Sequence, residues 1–79
     1  MRELKTNTYY EYCTPNKDIR YVFKVLEKIN EYRYKVFIYV DEGLYKYKTN
    51  HRLSSFSFDS RTITYCTKIN KEDAMAKII

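Results

Sequence analysis

Apolar and polar residues alternate through two long stretches, Arg20 to Ile29 and Tyr32 to Val40, with Asn30 and Glu31 between them. Side chains of a strand point to opposite faces at every second residue, so this spacing predicts two antiparallel strands joined by a two-residue turn. In that register Ile29 stands opposite Tyr32, Val25 opposite Val36, Phe23 opposite Ile38 and Tyr21 opposite Val40, which makes one apolar face. The other face pairs Lys28 with Arg33, Lys24 with Phe37, Val22 with Tyr39 and Arg20 with Asp41, and is polar and basic. Glu27 is the misfit: it lands on the inner face, which an open end of the sheet would tolerate. A rival pattern exists, because Ile19, Val22, Phe23, Val25, Leu26 and Ile29 also share one side of a helix, with Thr14 as cap and Pro15 in the first turn. That alternative sets residues 15–30 as a helix against a four-stranded sheet. Aromatic and β-branched residues fill the segment and favour the strand.

Shorter elements flank this pair. Tyr9 to Cys13 reads as a first strand ending at the turn-like Thr14-Pro15-Asn16-Lys17-Asp18. Asp41-Glu42-Gly43 reads as a type I turn closed by a left-handed glycine, followed by a strand from Leu44 to Thr49 that Asn50-His51-Arg52 ends. Phe56 and Phe58 alternate with serines up to a turn at Asp59-Ser60-Arg61, and Thr62 to Thr67 puts Ile63 and Tyr65 on one face. Asn70 has the placing of a helix cap, with Asp73 spaced to reach back to it. The helix it starts is too short to stand alone, so Ile69, Met75, Ile78 and Ile79 are expected to dock on the sheet. The fold class expected is mainly β: a single domain over residues 1–79, with a five-stranded antiparallel meander curled toward a small barrel and a short C-terminal helix. Src-homology-type and oligonucleotide-binding barrels have that general form, and they host many functions.

Composition narrows the function classes. Ten tyrosines, no tryptophan, one glycine and one proline suit a strand-rich chain in which rings cover a half-buried surface and hydroxyls reach water. A chain of 79 residues has a thin core, since one this size buries only roughly 60% of its unfolded surface. The formal charge of +5 draws it to acidic surfaces, nucleic acid among them. Cys13 and Cys66 lie far apart, with no CxxC spacing and a lone histidine, so neither zinc nor any other cofactor is expected. No signal-like start and no long apolar run occur, which points to the cytoplasm and to reduced thiols. A disulfide would require the strands bearing Cys13 and Cys66 to be neighbours.

Candidate chemistry then concentrates on one face. The hairpin gathers Lys24, Lys28, Arg33, Lys35, Phe37, Tyr39, Lys46 and Lys48 across three strands, and Asn50-His51-Arg52 adds polar side chains at a loop. Rings among cations suit single-stranded nucleic acid, because bases stack on rings while cations hold phosphates. The same face would serve a protein-docking surface. It would equally be an ordinary lysine-solvated outer face, with Phe37 and Tyr39 under the terminal helix. His51, Cys13, Cys66, Ser54, Ser55 and Asp59 supply the residue types of a hydrolase, but they lie in no recognisable nucleophile turn, and one glycine cannot build a phosphate loop. An enzyme is therefore not expected. The first strand, Tyr9 to Cys13, is expected to leave an edge on which a second copy would pair, so a small structural or dimerising protein is a third reading.

The tail Thr67-Lys68-Ile69-Asn70-Lys71-Glu72-Asp73-Ala74-Met75, with the length and the A/T-codon-rich composition, resembles small orphan proteins of phages and mobile elements of A/T-rich bacteria. The resemblance is one of genre. It implies an inhibitor or modulator of a host complex, such as a CRISPR effector, a restriction enzyme or the transcription machinery. Inhibitors that imitate DNA are strongly acidic, so the basic charge here argues against mimicry.

Overall fold

A computed structural model describes residues 3–42 and 52–78. The elements follow in the order β1 (Tyr9–Cys13), β2 (Arg20–Lys28), β3 (Arg33–Glu42), β4 (Arg52–Ser57), a short 3-10 helix (Thr62–Tyr65), β5 (Cys66–Ile69) and α1 (Lys71–Ile78). Among the described residues five antiparallel strands form one open sheet in the order β4-β3-β2-β1-β5. The mainly β class with one terminal helix is thus as expected, and residues 20–28 are strand rather than helix.

The register at the centre of the hairpin is the expected one, with Val25 opposite Val36, Lys24 opposite Phe37 and Phe23 opposite Ile38. Beyond these pairs it slips at both ends. An irregularity between Val25 and Glu27 sets Glu27 opposite Lys35 and Lys28 opposite Tyr34. The extra residue takes Glu27 out of the core, where an unpaired carboxylate would be costly, and leaves it exposed. A second slip between Val22 and Phe23 sets Val22 opposite Val40, so both valines share the second face. The connection is also longer than two residues. Asn30 accepts the N–H groups of Tyr32 and Arg33 on its Oδ1, both at 3.0 Å, which closes a side-chain-mediated turn over residues 29–32.

Other sequence expectations shift in the same way. β3 runs through Asp41 and Glu42, which the sequence assigns to a turn, because they continue to pair with Tyr21 and Arg20. Gly43, the Leu44–Thr49 strand, Asn50, His51 and Ile79 lie outside the described residues. Thr62 to Tyr65 is helical rather than extended, since Asp59 Oδ1 accepts the N–H groups of Arg61 and Thr62 and starts a turn there. The last strand is consequently Cys66–Ile69, and it pairs with β1 instead of continuing the meander. β1 is therefore interior, flanked by β2 and β5, and offers no edge to a second copy.

To reach β1, the chain leaving β4 crosses from one side of the sheet to the other. It carries Phe58 and Ile63 over the concave face, where they bury with Leu4, Tyr10, Phe23, Val25, Tyr34, Val36, Ile38 and Cys66. Tyrosine occupies this core because its hydroxyls find partners at the rim. Tyr34 Oη accepts the Leu4 N–H at 3.3 Å and Tyr10 Oη accepts the Lys5 N–H at 2.9 Å, which ties the N-terminal segment down. On the convex face α1 covers a smaller cluster of Val22, Val40 and Ala74, with Tyr9, Tyr39 and Ile69 packed against it. Asn70 caps that helix by accepting the Asp73 N–H at 2.7 Å.

Candidate interaction face

The convex face is built row by row from the strand register. One row runs across the whole sheet: Leu53 on β4, Phe37 on β3, Lys24 on β2, Tyr9 on β1 and Ile69 on β5. Residues directly opposite one another are the closest side-chain neighbours in a sheet, so this row forms a continuous band. The Lys24 ammonium lies 5.5 Å from the centroid of the Tyr9 ring, within the range of a cation–π contact. The Tyr9 ring lies 5.9 Å from that of Tyr39, which in turn lies 4.9 Å from Phe37.

The helix divides this face. Tyr9, Tyr39 and Ile69 are half-buried against it, and burial together with a hydrogen bond to Tyr9 holds the Tyr39 phenol above its usual range. The part beyond the helix is open. Leu53 there is 60% exposed, next to half-buried Phe37. Arg33 and Lys35 alternate with the buried Tyr34 and Val36 along β3, and so stand exposed on the same side as Phe37.

The residues singled out from sequence are thus only partly brought together. Lys24, Arg33, Lys35, Phe37 and Tyr39 share the convex face. Lys28 does not, because the slip at Leu26 pairs it with the buried Tyr34, and its ammonium is bonded to Glu3 at 2.7 Å. That contact lowers the Glu3 carboxyl and raises the Lys28 ammonium from their ordinary values. Arg52 stands opposite Ile38 on the concave side and is ion-paired with Asp41. Arg20, expected opposite Asp41, bonds instead to Glu11 on β1 at 2.9 Å. Lys46, Lys48 and His51 lie outside the described residues.

Sequence reasoning missed Leu53 and Tyr9 as members of the face. Leu53 is assigned no strand by its own alternation, since serines flank it. The signal for Tyr9 was its parity with Glu11 and Cys13 on β1, which needs the pairing of Tyr9 with Lys24 to become meaningful. The cysteines are likewise separated by parity. Cys66 is opposite Tyr12 and buried in the concave core, whereas Cys13 is one residue on, facing the other way, and the two are not disulfide-bonded.

Among the described residues no His, Cys, Asp or Glu side chains gather in threes as a metal site would need. No helix there is long and apolar enough to cross a membrane. No family model, curated protein or solved structure matches the chain.

Proposed function

We propose that the chain is a non-enzymatic binding protein that docks on a macromolecular complex through the open half of its convex face. The observation that carries this reading is exposed Leu53 beside half-buried Phe37, bordered by the exposed cations Arg33 and Lys35. An apolar centre with a charged rim is the usual anatomy of a protein interface. The formal charge of +5 favours an acidic counterpart. With the genre resemblance of its tail and composition, the reading extends to a phage- or mobile-element-encoded modulator or inhibitor, of the anti-CRISPR kind, acting on a host complex in the cytoplasm.

The test is affinity capture from host cells with the double variant Lys35→Glu, Leu53→Ser beside the unaltered chain. Both side chains are exposed, so the thermal midpoint should hardly move while the captured partner is lost. Undiminished capture rejects this face.

Direct binding of single-stranded nucleic acid is a second reading, favoured by the adjacent Phe37 and Tyr39 rings, 4.9 Å apart, among Lys24, Arg33 and Lys35. It requires binding of short oligonucleotides that weakens linearly with log salt, at about 0.7 per phosphate neutralised. Absence of binding at low salt removes it.

A further inference from the structure

The two outer strands are defended unequally. β5 is four residues long, carries Lys68 and is followed at once by α1. Short length and a lysine are common protections of a sheet edge. β4 is six residues long, and beyond Arg52 it carries only Leu, Ser and Phe. Among the described residues its sole strand partner is β3.

The direction of its backbone groups follows from one hydrogen bond. Phe58 donates its N–H to the Tyr32 carbonyl at 2.7 Å, and the same register pairs Phe56 with Tyr34 and Ser54 with Val36. In an antiparallel ladder the bonded residues alternate, so the N–H and C=O groups of Leu53, Ser55 and Ser57 point away from β3. Beside this edge, on the concave side, lies a groove of about 280 Å³ lined by Tyr12, Ile19, Tyr21, Phe56 and Phe58. On the convex side of the same edge stands exposed Leu53. An added strand projects side chains alternately to the two faces, and so covers both apolar features while pairing the backbone between them.

A second copy of this chain is a poor occupant. The concave-side residues of its β4 are Arg52, Ser54 and Phe56, and Phe56 is already packed on Tyr21 at 4.9 Å and on Phe23 at 5.6 Å. It would bring only arginine and serine to the groove, and two chains of formal charge +5 repel. Exposed Arg61, the N-cap residue of the 3-10 helix, lines a neighbouring cavity that shares Tyr12, Ile19 and Thr62 with the groove. We infer that the outer edge of β4 receives an extended, acidic peptide segment of a partner protein, one bulky apolar side chain of which fills the groove over Phe56 and Tyr21. This edge shares Leu53 with the Lys35 face, so the two are told apart by single changes: Lys35→Glu touches only that face, and loss of an outward backbone N–H touches only the edge.

Short linear peptides displayed at random and selected on the full chain provide the probe, and the best binder is then synthesised for anisotropy titration. Selected peptides are expected to be acidic and to alternate bulky apolar with polar residues. Ser55→Pro removes an outward N–H while sparing the bonds to β3, and should weaken binding by about tenfold or more. N-methylation of alternate peptide amides should do the same with the protein left unaltered, so the inference survives any distortion that proline introduces. Failure to select any binder, or peptides indifferent to both changes, overturns it. So does concentration-dependent dimerisation that Ser55→Pro abolishes, which would assign the edge to a second copy.

Discussion

Lys24 stands directly opposite Phe37 on one side and Tyr9 on the other, with its ammonium 5.5 Å from the Tyr9 ring centroid. Its cation is thereby held near the Tyr9 ring over the sheet. Such contacts contribute about 0.5–1 kcal/mol at partly exposed sites. A double-mutant cycle of Lys24→Met and Tyr9→Leu, followed by urea unfolding, should return a coupling of that size. A coupling of zero would mean that the ammonium is solvated and free to move.

Phe23 is the centre of the concave core. It is fully buried, with ring centroids of Tyr10, Phe56 and Phe58 at 6.0, 5.6 and 5.9 Å. Truncation of such a residue costs about 3–5 kcal/mol, comparable with the whole stability of a small domain, about 0.05–0.15 kcal/mol per residue. Phe23→Ala should therefore be largely unfolded by far-UV circular dichroism at room temperature. A cooperative transition close to that of the unaltered chain would contradict the packing.

Alkaline pH should destabilise the fold through Tyr12, Tyr21 and Tyr39. Burial is the main cause in each, pushing the phenol above its ordinary value of about 10 in the folded state. Below that value both states are protonated and the contribution is intact. As pH rises through it the unfolded chain ionises first, so stability falls until the folded phenols ionise too. Urea midpoints should decline from about pH 10 upward, with phenolate absorbance appearing in the same window. The acid limb has the opposite sign. A hydrogen bond from Lys28 lowers Glu3, and one from the Thr62 backbone lowers Asp59, so their contribution is lost as pH falls through the carboxylate range.

The thiols should react in sequence. Cys13 is half-buried near the end of β1, while Cys66 is 1% exposed in the concave core. A thiol reagent under native conditions should label Cys13 rapidly and Cys66 only with unfolding. Equal rates would mean that β5 opens on its own.

The hairpin and the cap of α1 were legible because each depends on local chemistry. The alternation of Val25, Phe23, Val36 and Ile38 set the central register, and Asn70 with the following acidic turn set the helix start. The slip at Leu26 was legible only as the discomfort of Glu27, since a bulge leaves no motif beyond a charge in the wrong place. The 3-10 turn escaped because Thr62, Ile63, Thr64 and Tyr65 are all good strand formers, overruled by the Asp59 carboxylate three residues before. The candidate face was half legible. Parity along β3 gave Arg33, Lys35 and Phe37, but Lys28 depended on the bulge and Leu53 on a pairing between strands.

The pairing of Tyr9 with Ile69 joins the first strand to the last across nearly the whole chain. β1 can complete one side as soon as β2 exists, but its other side waits for residues 66–69. Residues 9–42 alone can pair as three strands, but β1 then keeps one unpaired side until residues 66–69 join it. Contacts this distant in sequence slow folding relative to a local meander of the same size. The docking of β5, a long-range event, then sets how long that side of β1 stays open to wrong pairings during folding, more than the local central hairpin does.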